Sequence, residues 1–522
     1  MNTDFAPRFA QRTVSAPSAV NVLTENGALS HATTGSAVLD LFFKTLRSST
    51  NEQVDKMMSA AWEENPLLTL KAVFHLRDCR GGKGERKCFY NCIRWLIASG
   101  HARHVEKNLE LVPFYGTYKD LLVSTAGTEV ENAMLNLFAK TLSDDVDKLN
   151  STIASGNVNT NGHANVVTTL AGKWAPTEGG KLDRDHKFVR KLCTLLKSIP
   201  PTTTKVTNFK DYRTNVIAPL RKHSQIVERD MCGNTWENIN FSHVPSVAMK
   251  LYRKAFESHQ SDRFKQYLTD VSTGKSKINA SMIFPHQLVS YYMRGGELDE
   301  TIELQWKEIV RSAKKLFGEA GNSAFPLVDV SGSMDGQPME VAIALGLLLT
   351  EITHEPFRGT MLTFTEKPSL FSVNLNSTLK EKVAEIRGAP WGGSTNLAGS
   401  LDLLLTTAKM FKVPAENMPK TLYIFSDMQF NQASPSNTRT NFQNIDVKYT
   451  LAGYRRPNIV FWNLRADTVD FPVEQHVPRT ALVSGFSQSI MSVFMSGDIA
   501  SPVSIMLDVL NSSRYEQVQL DC

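Results

Sequence analysis

Five oxygen-bearing side chains, spread over the C-terminal part of the chain, have the types and the order that suit a hard cation. Asp329, Ser331 and Ser333 alternate in Asp329-Val-Ser-Gly-Ser333. They directly follow a short apolar run, residues 325–328, that reads as a buried strand. Thr395 follows in the glycine-rich stretch Trp391-Gly-Gly-Ser-Thr-Asn-Leu397, which opens a helix. Asp427 ends a second apolar strand, Leu422-Tyr-Ile-Phe-Ser-Asp427. A cation such as Mg²⁺ or Mn²⁺ takes oxygen ligands in an octahedral array and keeps part of its water. In a doubly wound sheet, ligands collect at the carboxyl ends of the strands. Both strands and the threonine loop would end on that edge.

The pattern Asp-x-Ser-x-Ser, then Thr, then Asp resembles the metal-ion-dependent adhesion site of von Willebrand factor A domains, and all five positions match. The resemblance implies a Rossmann-like doubly wound sheet, a bound Mg²⁺ or another divalent cation, and an open coordination position. That position would take an acidic side chain of a protein ligand or a phosphate oxygen. Metal-assisted hydrolysis would also need a base beside the metal. Asp335, Asp402 and His354 are available by type. Asp402 falls inside a helix and His354 at the end of one, so capping and solvation explain them, and no enzymatic activity is expected.

The elements around this stretch divide the chain. The 522 residues are 42% hydrophobic and 21% charged, with a formal net charge of +5. This is a globular composition, mildly basic and compatible with nucleic acid. Residues 1–33 are rich in Ser, Thr, Ala and Asn, have no signal-peptide core, and read as a flexible segment. Residues 34–318 show repeated helical periodicity, as in Leu39, Phe42, Phe43 and Leu46, or Val54, Met57, Met58, Ala61 and Trp62. Pro66 is placed to open a helix, and Pro219 to break or kink one. Short helices with short connections predict an α-solenoid or an irregular helical array. Residues 319–522 alternate strand and helix, the signature of a parallel α/β sheet. The fold class expected is therefore α + α/β, a helical array followed by a doubly wound domain. The six cysteines, Cys79, Cys88, Cys92, Cys193, Cys232 and Cys522, include no Cys-x-x-Cys pair. They read as reduced thiols of a cytoplasmic protein. No apolar run approaches the ~18 residues of a membrane span, so no membrane partner is expected.

The most basic window, residues 71–107, holds nine Lys and Arg against three Asp and Glu. Within it, Arg77-Asp-Cys-Arg-Gly-Gly-Lys-Gly-Glu-Arg-Lys87 places Arg77, Arg80, Lys83, Arg86 and Lys87 on a glycine-rich loop entering a helix. Such a loop can offer backbone N–H groups and cations to phosphate. It is not a P-loop, because Gly84 follows Lys83. The bland alternative is a solvated loop with internal ion pairs to Asp78 and Glu85. Tyr118, Lys119, Lys173, Trp174, Arg213, Arg221, Lys222 and His223 are further basic or aromatic candidates for a polyanion-binding face.

A helical array running into an A-type domain resembles the Ro (TROVE) family, and more closely a Ro-like family of plants, fungi and large viruses. The resemblance lies in Leu23-Thr-Glu-Asn-Gly27, the Arg-Gly-Gly-Lys-Gly-Glu-Arg stretch, Pro113-Phe-Tyr-Gly-Thr-Tyr-Lys-Asp-Leu121, Lys173-Trp-Ala-Pro176, Tyr212-Arg213, the Asp329 motif, Val460-Phe-Trp-Asn-Leu-Arg465 and Val483-Ser-Gly-Phe486. It implies a ring of HEAT-like helices closed by the A domain. Such a ring binds structured RNA on its basic surface and admits single-stranded RNA ends at its hole. The expected role is that of a non-enzymatic RNA-binding protein. The alternative is an assembly scaffold whose metal captures an acidic residue of a protein partner.

Overall fold

The fold is described from a computed structural model, which covers residues 21–23, 29–159, 164–199, 206–321, 323–363, 368–389, 396–429, 438–466, 470–491 and 499–521. Local sequence sets the early helices. Thr50 and Gln53 form a reciprocal cap at the start of the Asn51–Glu64 helix, satisfying donors that have no partner within the helix. Asn65 then caps the Pro66–Arg77 helix by accepting from the Leu68 N–H at 3.0 Å. Pro219, expected to break or kink its helix, sits where a π-helix gives way to an α-helix, an irregularity rather than a full break. Tyr212–Ile217 is a π-helix leading into the Ala218–His223 helix, and the Ala218 N–H reaches back five residues to the Arg213 carbonyl. The widened turn accommodates a residue that lacks an N–H and crowds the carbonyl four positions earlier.

The C-terminal part holds a six-stranded sheet among the described residues. Its strands are β3 (Ala324–Val328), β4 (Thr360–Thr363), β5 (Ser369–Ser372), β6 (Thr421–Ser426), β7 (Asn458–Asn463) and β8 (Thr480–Ser484), in the spatial order β5-β4-β3-β6-β7-β8. All neighbours are parallel except β5, which is antiparallel to β4. Sequence order reverses between β3 and β6, and that reversal is where doubly wound sheets open a crevice for ligands.

Both faces are covered, which is why the strands read as continuous apolar runs. Val328, Phe425, Val460 and Trp462 pack with the Gln337–Ile352 and Leu379–Arg387 helices. Phe325, Leu327, Ile424 and Phe461 pack with the Leu397–Met410 and Thr438–Leu451 helices. The Gln337–Ile352 helix lies close against β3 at Gly346, where an added Cβ would stand 2.4 Å from Val328 Cγ2.

The helical body docks on this sheet at both of its ends. Its first helix, Ala37–Lys44, packs on β8, while the Pro285–Met293 helix packs on Gln337–Ile352. The two ends also meet each other: a Cβ on Gly84 would lie 2.8 Å from Phe284 Cζ. The Pro502–Leu510 helix returns to pack on Pro66–Arg77. Residues 29–33, grouped on composition with the flexible segment, are tied in as well. β1 (Asn21–Leu23) pairs with β2 (Leu29–His31), and His31 exchanges backbone hydrogen bonds with Phe471. No helix among the described residues is long and apolar enough to cross a membrane.

At the junction lies Lys83, fully buried. Its ammonium donates to the Phe42 carbonyl, to the Thr45 carbonyl at 3.1 Å and to Ser484 Oγ at 2.7 Å. It is a strut between helix and sheet, which corrects the expectation that it contacts phosphate. The loop's acidic residues are paired too, but with remote arginines: Glu85 with Arg47 at 3.0 Å, and Asp78 with Arg514.

Two predictions follow from this packing. Gly346→Ala forces the helix off β3 and lowers stability by about 1–3 kcal/mol, read as a lower denaturation midpoint; an unchanged midpoint would show that the helix can simply slide. Burial lowers the Lys83 pKa to about 7, against about 10.4 in an unfolded chain. Above the folded value the native protein has lost this proton while the unfolded chain still binds it, so stability rises with pH, and the cost of the buried charge is full below that value. Relative to Lys83→Met, the wild type therefore gains up to about 1.4 kcal/mol per pH unit between about pH 7 and 9. Parallel stability curves for the two proteins would refute it.

Candidate functional site

Asp329 directly follows β3 and continues its ladder, with its N–H donating to the Phe425 carbonyl at 2.9 Å. Its carboxylate is buried. Oδ2 accepts from Ser426 Oγ at 2.6 Å and Oδ1 from the Ser331 N–H at 3.0 Å. The chain then makes a single turn, Gly332–Met334, anchored in the core by the buried Met334. That turn brings Ser331 Oγ and Ser333 Oγ to 3.0 Å from each other, with Ser333 exposed. Asp427 follows β6, the neighbouring strand. Its Oδ1 accepts from the Gln429 N–H at 3.1 Å, while Oδ2, also buried, has no hydrogen-bond partner among the described residues.

Burial, and secondarily the Asp427 carboxylate nearby, pushes the Asp329 pKa up to about 6. Two buried carboxylates on adjacent strands, one with an orphaned oxygen, have no ion-pair partner among the described residues. A divalent cation would supply one, so the residues present fit the metal. The donor set is carboxylate and hydroxyl, suited to Mg²⁺ or Mn²⁺ rather than to softer ions. Four of the five expected ligands are thus brought to the β3/β6 edge; Thr395 lies outside the described residues. Sequence reasoning missed the role of Arg465, which follows β7 and donates to the Ser333 carbonyl, pinning the serine turn. Of the residues considered for hydrolysis, Asp402 is ion-paired with Lys448 at 2.7 Å, and His354 is exposed.

The second site is a cleft of about 1000 Å³ in the helical body. Its walls carry Arg77, Arg86, Lys173, Arg213, Arg221 and Arg229, with Glu228 the one acid, and apolar surface from Trp174, Leu251 and Phe284. Five of these six cations were expected from sequence. Arg229 was missed because Glu228 and Asp230 beside it cancel its charge in any local count.

The cations are not equivalent. Arg221 braces the 172–177 segment, donating to the Gly172 carbonyl at 3.1 Å and the Ala175 carbonyl at 2.9 Å. Lys173 lies over the Trp174 ring at 5.6 Å, and Arg213 is exposed. Arg77 is buried rather than displayed, with Nη2 2.6 Å from Asp120 Oδ2. Asp120 sits in the first turn of the Tyr118–Thr125 helix, capped by Thr117. It also accepts from Tyr90 at 2.6 Å and pairs with Arg86 at 3.3 Å. Burial alone would raise its pKa, but Arg77 and these other donors outweigh it and hold the value below the usual range. Arg80, Lys87, Lys119, Lys222 and His223 are not among the residues lining the cleft. Arg80 donates to the Phe114 carbonyl at 2.8 Å, and His223 Nε2 lies 2.9 Å from the Val166 carbonyl.

Fold and site together define a two-part protein, a helical body closed onto a doubly wound sheet. Residues 24–124 and 130–316 match the family described as Domain of unknown function (DUF2828), and residues 323–517 match Domain of unknown function (DUF7788). The chain is also similar to Uncharacterized protein L728 of Acanthamoeba polyphaga mimivirus, being 34% identical over 522 residues, with 93% of this chain and 86% of that protein covered. The DUF2828 match extends over more than half of the sequence, and the chain belongs to that family.

If a cation completes the carboxylate pair, Mg²⁺ at 100-fold excess over its Kd adds about 2.7 kcal/mol of stability, seen as a raised thermal midpoint. Asp427→Asn removes that response without lowering the midpoint of the metal-free protein. A response retained in Asp427→Asn would place the ion elsewhere.

Proposed function

We propose that the protein is a non-enzymatic RNA-binding protein of the Ro (TROVE) type, in which a HEAT-like helical body holds RNA in its basic cleft. The C-terminal half would be a von Willebrand factor A-type domain carrying Mg²⁺ or Mn²⁺ through Asp329, Ser331, Ser333 and Asp427, with Thr395 as the fifth ligand. The observation that carries the reading is the convergence of cations from widely separated stretches on one cleft that also presents Trp174 and other apolar surface. Cations neutralise phosphates and release their counterions. An aromatic face stacks a base without reading its identity, which favours single strands and RNA ends over duplex.

A second reading, a scaffold that captures an acidic partner residue at the metal, is favoured by the exposed Ser333 beside a carboxylate pair in need of a cation. In that case partner binding is lost on chelation and is insensitive to cleft mutations.

The experiment is RNA binding followed across a range of salt concentrations. Lys173→Ala and Arg213→Ala each weaken binding and flatten the dependence of log K on log salt by about 0.7 for single strands. Arg80→Ala and Lys222→Ala, outside the cleft, leave the slope unchanged. Equal slopes for all four variants would defeat the cleft as the RNA site.

A further inference from the structure

One wall of the cleft is built differently from the rest. Lys173 and Arg213 are separate side chains on separate segments, whereas Arg77 and Arg86 are both held by one carboxylate. Asp120 is fully buried and takes four donors besides Arg86: Arg77 Nη2 at 2.6 Å, Tyr90 Oη at 2.6 Å, and the Thr117 N–H and Oγ1 each at 2.7 Å. Two guanidiniums against one carboxylate leave this wall with a net positive charge. Arg77 is 3% exposed and its Nε–H has no acceptor among the described residues, an unusual state for a buried donor. Arg86 is 53% exposed and meets Asp120 through Nε, so its Asp120 contact leaves both terminal Nη groups available to the cleft. Guanidiniums fixed in advance by a buried acid lose little entropy on binding and match the oxygens of a phosphate in a planar fork.

We propose that Arg77 and Arg86, oriented by Asp120, form an anion subsite on the cleft wall that takes a phosphate monoester. A dianionic terminal phosphate suits it better than the singly charged diesters within a strand, because it brings more charge and three acceptor oxygens to a preset pair of forks. The same chemistry is offered by an RNA end and by a free nucleoside monophosphate. For the RNA end, the inference rests on the cleft being the RNA site.

The test compares one short single-stranded RNA carrying a 5′-phosphate, a 3′-phosphate, or hydroxyls at both ends, by fluorescence anisotropy at fixed ionic strength. AMP is titrated separately by calorimetry. The variants are Arg86→Gln, whose exposed side chain can be lost while Asp120 keeps its other donors, and Asp120→Asn. We expect one phosphorylated end to bind about tenfold tighter than the hydroxyl form. Arg86→Gln should abolish that preference, and should weaken hydroxyl-ended RNA only as far as Lys173→Ala does, the loss of one cleft cation; Asp120→Asn, if folded by circular dichroism, should reduce the preference. Three equal affinities, or a preference that persists in Arg86→Gln, would overturn the subsite while leaving the cleft as an RNA site. AMP binding that depends on Arg86, in a protein that holds no RNA, would support the subsite and overturn the RNA reading. Binding of neither AMP nor RNA would overturn both.

Discussion

The buried carboxylate of Asp78 is the point on which the two halves of the molecule depend. Arg514, from the far end of the chain, donates to it through Nε and, at 2.6 Å, through Nη2, and Tyr515 donates at 2.9 Å. The Arg80 and Gly81 N–H groups complete its shell. Burial drives its pKa up; the Arg514 hydrogen bonds and the backbone donors outweigh this and keep it below the ordinary value. A carboxylate so deeply placed is tolerable only with all of these partners. The glycine-rich loop that follows Asp78 is therefore shaped by the C-terminal segment, and Lys83 on that loop is driven into the junction instead of out toward solvent. The cleft wall bearing Arg77 and Arg86 flanks this loop on both sides.

The sheet imposes the second constraint. Its order reverses between β3 and β6, so the two strands whose ends carry Asp329 and Asp427 become neighbours although 98 residues of chain separate the two aspartates. With helices on both faces, neither carboxylate can turn to water. The register that pairs Val328 with Phe425 fixes their relative depth, and Gly346 lets the covering helix approach close enough to seal one side.

Much of this was legible in the sequence because it is encoded locally. A short apolar run ending in Asp marks β3 and β6, and Asn65-Pro66 marks a helix start through its own side chain and ring. The two carboxylates of the candidate cation site were legible for the same reason, since each directly follows a strand. What was illegible depends on distant partners. Nothing near Lys83 announces that carbonyls of Phe42 and Thr45 and the hydroxyl of Ser484 will enclose it. Its glycine neighbours and basic surroundings argue for exposure. Arg77 likewise looks free until Asp120 is placed beside it. The Thr438–Leu451 helix escaped notice because its polar residues dilute the pattern. Yet Phe442, Ile445 and Tyr449, at helical spacing and all buried, were the signal that could have found it.

The way the chain closes bears on how it is made. Asp78 waits for Arg514 and Tyr515; Tyr115 Oη donates to the Arg514 carbonyl at 2.7 Å; Asn108 exchanges hydrogen bonds with Gln519; His104 Nδ1 accepts from the Asp521 N–H at 2.9 Å. During synthesis the N-terminal helices leave the ribosome hundreds of residues before these partners exist. Until then they carry a buried acid without its counterion and an apolar flank without its cover. Their final packing thus waits until residues 514–521 have been made, and a chain cut before Arg514 would lose the partners of Asp78, Asn108 and His104.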